Sequence, residues 1–102
     1  TVIFNNVSGL AENLKAEDGS VGLRVTREVF SKELCFRFQK PIVSTSANIS
    51  GEPTAMTFDE IDDEIKNSVD YVVRYNQRCK EKHQPSSIIK IDSNGEFIII
   101  RE

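Results

Sequence analysis

The segment 44–51 is the part of the sequence richest in side chains that could bind a polar ligand. Five of its eight residues carry a hydroxyl or an amide, including Ser44, Ser46, Asn48 and Ser50. Hydroxyl groups and backbone N–H groups can hold phosphate or ribose without a metal ligand. Turns also favour serine, asparagine and glycine. Composition alone therefore favours an ordinary polar turn over a binding loop.

Two arginines stand where predicted strands are interrupted or end. These are Arg24 and Arg101, and a guanidinium group can grip phosphate or carboxylate with two parallel hydrogen bonds. Ser86 and Ser87 add two hydroxyls at the start of another predicted strand. Taken singly, each residue fits a simpler alternative, an arginine facing solvent or a serine capping a strand.

No metal site is predicted, and no catalytic residue is identified. His83 is the only histidine, and no second histidine or cysteine stands at ligand spacing, so a zinc site is not expected. No serine is presented as the nucleophile of a Ser-His-Asp triad. The acidic run 59–64 fits the solvated face of a helix better than a cation site.

The elements that must position these side chains follow from hydrophobic periodicity. Apolar residues spaced by four predict a helix over 27–38 capped by Thr26, and Thr57 with Glu60 forms a capping box before a second helix. Alternating or short apolar runs predict strands at 2–4, 21–25, 41–43, 71–74, 87–91 and 96–101. Ser93-Asn94-Gly95 between the last two predicts a hairpin. The fold class is α/β, with a partial, twisted, open mixed sheet, two main helices and a C-terminal β-hairpin.

Length and charge limit the function further. The 102 residues make one small domain or part of one, and 13 basic against 16 acidic residues give a net charge of −3, which argues against a general nucleic-acid binder. The sequence predicts no membrane-spanning run and no leader, and the two cysteines fit a reducing, cytoplasmic location better than a disulfide. Because the chain begins inside a strand, we expect a fragment or processed product that self-associates through an exposed sheet edge.

Several segments resemble the YrdC-domain family. The string from Lys40 to Gly51 is similar to the signature of that family, including Ser46-Ala47-Asn48. The Val21–Val25 strand, Pro85-Ser86-Ser87 with the two isoleucines after it, and Arg101 match further family elements in the same order. The resemblance implies a sheet of the YrdC type and identifies residues 1–102 as the C-terminal part of such a domain, with the N-terminal part absent.

The resemblance also implies a function. Enzymes of this family combine ATP, L-threonine and bicarbonate into threonylcarbamoyl-AMP with release of pyrophosphate, in a pathway that modifies tRNA, and Mg²⁺ would be carried by the ATP. Double-stranded RNA binding is also associated with the domain. The resemblance places Ser46, Asn48, Ser87 and Arg101 at the nucleotide. It gives Arg24, Ser44 and Ser50 a supporting role in the cavity.

Two departures from the family pattern shape the alternatives. The Lys-x-Arg pair of the earlier half of the domain is missing, so we expect the 102-residue chain alone to lack synthase activity. Glycines usual before Pro85 are also missing. The alternatives are a double-stranded-RNA-binding module without catalysis and a paralogue that uses another carbamoyl-type substrate.

Overall fold

The computed structural model describes residues 1–102, which form two compact units. The first unit comprises residues 1–27 and 85–102, and the second comprises residues 28–84. The second unit is thus inserted into the chain between two strands of the first. No helix in the molecule has the length and apolar character needed to cross a lipid bilayer.

The first unit is built on a four-stranded mixed sheet. Its strands are β1 (Val2–Phe4), β2 (Val21–Leu23), β3 (Ile88–Ile91) and β4 (Phe97–Arg101). They lie in the order β2-β1-β3-β4, with β1 and β3 parallel and the two outer pairings antiparallel. The α/β class with an open mixed sheet, two helices and a C-terminal hairpin is confirmed.

The predicted β3–β4 hairpin turns through Gly95. One carboxylate oxygen of Asp92 accepts hydrogen bonds from the backbone N–H groups of Asn94 and Glu96, at 2.8 and 3.0 Å. Gly95 has φ 83°, a left-handed conformation that residues with a Cβ rarely adopt. The turn is therefore fixed by an aspartate at its start and a glycine near its end, a common hairpin arrangement.

In the first unit, an ion pair also connects the loop before β2 to strand β3. The Lys90 ammonium group donates a 2.8 Å hydrogen bond to Asp18, whose other carboxylate oxygen accepts from the backbone and hydroxyl of Ser20. These donors hold the pKa of Asp18 well below its ordinary value, with Lys90 the largest cause. Ser20 and the adjacent Val21 are the most buried residues of the molecule, each 7% exposed.

The second unit contains the two helices, α1 (Val29–Phe38) and α2 (Asp63–Ser68). The predicted helix over 27–38 is confirmed, but its cap is Glu28 rather than Thr26. The Glu28 carboxylate accepts from the N–H groups of Phe30 and Ser31, which lowers its pKa. Glu28 lies two residues closer to the helix than Thr26 and directly precedes its first residue.

The predicted capping box was also only partly right. Thr57 precedes a 3₁₀ turn (Phe58–Glu60) and makes no capping hydrogen bond with its side chain, while Glu60 accepts from the N–H of Met56 at 2.8 Å. Helix α2 begins later, after Asp62, whose carboxylate accepts from Glu64 N–H at 2.7 Å. The acidic run supplied a stronger cap than the threonine before it.

The strands predicted at 41–43 and 71–74 were wrong, because neither segment is paired in a sheet. Val43 and Tyr71 are 69% and 70% exposed, so these apolar residues do not mark buried strands. A preference for extended structure produces a strand only where a neighbouring strand supplies hydrogen-bond partners. The only sheet lies in the first unit.

Apolar side chains remain exposed on both the sheet and α1. Strand β4 alternates its side chains between two faces, yet Phe97, Ile98, Ile99 and Ile100 are all at least 55% exposed. Phe36 on α1 is 73% exposed. The predicted amphipathic helix therefore forms, but its apolar residues do not bury a core face within this chain.

Candidate functional site

The sheet topology brings one terminus of each of the four strands together at one end of the sheet. In the ladder, Val2 pairs with Leu23 of β2 and with Ile89 of β3, and Ile88 pairs with Arg101 of β4. The beginnings of β1 and β3 therefore lie beside the ends of β2 and β4. Residues far apart in sequence, which flank these strands, meet there.

Two arginines converge on one serine at this end. Arg24, just after β2, donates from Nη1 to the hydroxyl of Ser86 at 3.0 Å. Arg101, the last residue of β4, donates from Nε and Nη2 to the Ser86 carbonyl oxygen at 3.1 and 2.6 Å. We call these three residues the strand-end cluster. Ser86 holds both guanidinium groups in place while most of their five N–H donors each stay available.

The charge of the strand-end cluster is not neutralised by the chain. Both arginines are exposed, and neither forms an ion pair with a carboxylate. Neighbouring guanidinium groups of this kind suit an anion with several oxygens, since each group can donate two parallel hydrogen bonds to phosphate or carboxylate. The cluster is therefore a candidate anion site.

Of the two adjacent serines noted in the sequence, Ser86 is the one that contacts both arginines. The predicted serine was Ser87, which is exposed and uses its backbone carbonyl to accept a 2.8 Å hydrogen bond from the nitrogen of Thr1. Ser86 is half-buried and bonds to both arginines. Sequence showed two adjacent hydroxyls, but only the register of β3 decides which one lies between the arginines.

The predicted polar segment 44–51, here called the serine loop, belongs to the second unit. Asn48 Nδ2 donates to the carbonyl oxygens of Ile49 and Glu52, both at 3.0 Å. Glu52 N–H closes a turn onto the Ile49 carbonyl at 2.9 Å, with Gly51 at φ 87°. A positive φ at the third turn position fits a type II turn. Asn48 therefore has a structural role in closing the loop.

The other end of the Asn48 amide has no partner. Its oxygen Oδ1 is buried and accepts no hydrogen bond, although buried polar atoms in proteins are nearly always paired. Such an acceptor would be satisfied by an N–H or O–H group of a ligand. Asn48 thus combines a turn-closing donor with a buried acceptor that has no partner within the chain.

The serines of the loop are free to meet a ligand. Ser44, Ser46 and Ser50 are exposed, and their hydroxyls make no hydrogen bond within the chain. They present donors and acceptors that currently face water. Composition alone could not distinguish this from an ordinary turn, and the structure places these hydroxyls at the surface.

A cavity of about 750 Å³ lies elsewhere in the second unit, along the segment 69–78. Its lining includes Tyr71, Arg74, Asn76 and Arg78. None of the residues predicted from sequence as binding residues lines it. The candidate binding residues therefore lie at the strand-end cluster and in the serine loop, both of which are open to solvent.

Comparison with known proteins finds one family whose model matches the whole chain. A family model for the Sua5/YciO/YrdC domain, described as telomere recombination, matches residues 1–102. No solved structure matches the chain significantly.

Three relatives are named as synthases. A Methanocaldococcus jannaschii protein, provisionally named threonylcarbamoyl-AMP synthase, is 39% identical over 102 residues, which cover 100% of this chain and 45% of the relative. The threonylcarbamoyl-AMP synthase of Vibrio cholerae is 33% identical over 75 residues, 74% of this chain and 39% of the relative. That of Vibrio campbellii is 33% identical over 69 residues, 68% of this chain and 36% of the relative.

The chain spans less than half the length of these relatives. The family match, in contrast, covers every residue from 1 to 102. The sequence resemblance to this family, carried by the serine loop, the β2 strand and the segment before β3, is confirmed. The chain belongs to the Sua5/YciO/YrdC family.

Proposed function

We propose that this chain is the nucleotide-binding part of a threonylcarbamoyl-AMP synthase, which acts in the threonylcarbamoyladenosine modification of tRNA. The protein would use ATP, L-threonine and bicarbonate and would release pyrophosphate. Support comes from the family, the names of the relatives and the anion-binding character of the strand-end cluster. The proposal places the enzyme in the cytoplasm, where tRNA is used.

The convergence of Arg24 and Arg101 on Ser86 is the observation that carries this proposal. ATP carries several negative charges on its phosphates, and its magnesium complex, the form in which it would bind, still carries a net negative charge. Two fixed guanidinium groups complement that charge without having to reorganise during the reaction. Ser86 supplies the fixing contacts, so the ligand meets donors whose positions are already set.

The identity of the product defines the chemical step. The threonine nitrogen forms a bond to the bicarbonate carbon, and a C–O bond breaks with loss of water, which gives a carbamate. One carbamate oxygen then forms a bond to the α-phosphorus of ATP. The bond between the α-phosphorus and its bridging oxygen breaks, and that oxygen leaves on pyrophosphate. Negative charge builds on the phosphate oxygens as this happens. Hydrogen bonds from the arginines become stronger as this charge develops, so they stabilise the transition state more than the bound substrates and lower the barrier. Hydrogen bonds that are equally strong in both states would not lower it.

The serine loop of the second unit carries groups that suit a nucleoside. The unpaired Oδ1 of Asn48 could accept from an exocyclic amine or a ribose hydroxyl once the loop opens to expose it, and the exposed Ser46 hydroxyl can donate or accept nearby. These uncharged groups would orient a nucleoside through hydrogen bonds and would not balance the charge of its phosphates. We propose phosphate as the ligand of the arginines, and a nucleoside or threonine as the ligand of the loop.

Pyrophosphate release by the purified full-length protein, of which this chain is proposed to be the nucleotide-binding part, tests the proposed function. With MgATP present, release should require both L-threonine and bicarbonate, and omission of either should reduce it to background. Release with another amine but not with threonine would instead identify a paralogue with a different carbamoyl-type substrate. No release, together with salt-dependent binding of duplex RNA, would replace the enzyme by an RNA-binding module.

A further inference from the structure

A thiol, a carboxylate and an imidazole converge in the second unit, within the segment 79–83. The ligand atoms of Cys79, Glu81 and His83 all lie within 4.8 Å of one another, and His83 Nε2 lies 4.0 Å from a Glu81 carboxylate oxygen. Sulfur, nitrogen and oxygen donors from these residue types are the ones that zinc binds in proteins. We propose that Cys79, Glu81 and His83 form a Zn²⁺ site, separate from the residues assigned to the nucleotide.

The residues between these three hold the segment in place. Lys80 pairs with Asp59, and Lys82 lies 3.8 Å from Glu60, so both lysines reach the 3₁₀ turn Phe58–Glu60. The Lys80 contact also lowers the pKa of Asp59. The side chains of Cys79, Glu81 and His83 thus converge on one another, while those of Lys80 and Lys82 bind the neighbouring turn. A segment without helix or strand is in this way held at two points.

The spacing of the three donors is close to what the ion needs. In a tetrahedral site with ligand distances of roughly 2.0–2.3 Å, ligand atoms stand about 3.3–3.8 Å apart. The observed separations all lie within 4.8 Å and therefore exceed these distances by at most about 1.0–1.5 Å. Glu81 and His83 are 82% and 73% exposed, so their side chains can rotate inward without displacing a packed neighbour.

The charges of the three groups also match the ion. A thiolate and a carboxylate together balance a divalent cation, and the neutral imidazole of His83 adds a third ligand. The exposure of the cluster leaves room for water as a fourth ligand. This proposal departs from the expectation of no metal, which considered histidine and cysteine only. Here a glutamate at alternate spacing completes the ligand set.

Titration with Co²⁺, a spectroscopic probe of zinc sites, tests the proposal. The protein should bind one Co²⁺ at this site with a thiolate-to-cobalt charge-transfer band, and added Zn²⁺ should remove the band. Cys79→Ser should abolish the band, and His83→Ala or Glu81→Gln should weaken binding by about tenfold or more. Cys35→Ser is the matched control and should leave the band unchanged. A band that survives Cys79→Ser, or that depends on Cys35, would overturn the site.

A second measurement avoids variants that could perturb folding. Alkylation of each cysteine in the unmodified protein can be followed by mass spectrometry, with and without Zn²⁺. Bound zinc should slow alkylation of Cys79 by about tenfold or more while Cys35 reacts at an unchanged rate. Equal rates with and without Zn²⁺ at Cys79 would contradict the proposal. Equal slowing of both cysteines would show non-specific metal binding and would also contradict it.

Discussion

The strand-end cluster and the serine loop reach their geometry in different ways. In the cluster, the contact between Arg24 and Ser86 joins residues 62 apart in sequence, and the contact between Arg101 and Ser86 joins residues 15 apart. In the loop, Asn48 bonds to carbonyls one and four residues away. One site therefore depends on the correct assembly of the sheet, and the other depends on a single local turn.

This difference determines what a substitution should do in each region. An arginine at the end of a strand can be removed without removing the backbone ladder that aligns the strands, so its loss should affect ligand binding most. Asn48 closes its own loop, so its loss should affect both the loop and the ligand. The predictions that follow test this distinction, from the largest expected effect to the smallest.

The largest effect is expected for Arg101→Ala on synthase activity. Removal of a fixed donor that stabilises charge in the transition state costs roughly 10²–10³-fold in rate. Arg101→Lys keeps the charge but loses the fork that spans two oxygens, so it should restore activity only in part. Steady-state pyrophosphate release by the full-length protein at saturating substrates measures both variants. Activity of Arg101→Ala within a few-fold of the unmodified protein would remove the cluster from the proposed mechanism.

The second prediction concerns two side chains of the serine loop that should behave differently. Asn48→Ala removes two hydrogen bonds that close the turn and should lower the free energy of unfolding by about 1–3 kcal/mol, with weaker nucleotide binding. Ser46→Ala removes a hydroxyl that is free in the chain, so stability should change by less than about 0.5 kcal/mol. Its nucleotide affinity should still fall by about 1–3 kcal/mol.

Thermal unfolding and calorimetric binding on the same two variants measure these quantities. Ser46→Ala serves as the internal control for Asn48→Ala, because both lie in one loop. A large loss of stability in both variants with unchanged affinity would make the loop a structural turn only. It would leave nucleotide recognition to the strand-end cluster.

The smallest effect is expected from the ion pair that ties Lys90 to Asp18 in the first unit. The pKa of Asp18 is lowered in the folded state, so its ionised form stabilises the fold at pH values above the ordinary aspartate pKa of about 4. Asp18→Asn should therefore lower the melting temperature slightly at pH 7. The difference from the unmodified protein should shrink as pH falls below about 4. A difference that grows on acidification would contradict this account.

Much of the fold could be predicted from sequence because its signals are local. The hairpin turn at Gly95 and the helix over Val29–Phe38 depend on neighbouring residues, and both are present. The segments 41–43 and 71–74 have similar apolar character but form no strand. Their outcome depends on whether a partner strand lies beside them, and that information is not local.

The same limit applies to the site. Sequence identified Asn48 and the serines around it, since a short polar string can be recognised without knowing the fold. It could not show that Ser86, rather than Ser87, contacts the two arginines, because that contact depends on the register between β3 and β4. Sequence did not indicate Glu81 as a partner of Cys79 and His83, since a single glutamate in a charged loop carries no distinctive signal.

Nucleotide titrations of Arg101→Ala test the central claim most directly. Calorimetry with ATP and with adenosine, which lacks phosphates, separates charge recognition from nucleoside recognition. Arg37→Ala is the control, because Arg37 lies exposed on α1 and pairs with Glu33. We predict that Arg101→Ala weakens ATP binding by about 1.5–3 kcal/mol, roughly 10–150-fold, with adenosine binding unchanged and Arg37→Ala without effect. Unchanged ATP affinity, or an equal loss for adenosine, would contradict the assignment of the strand-end cluster to phosphate.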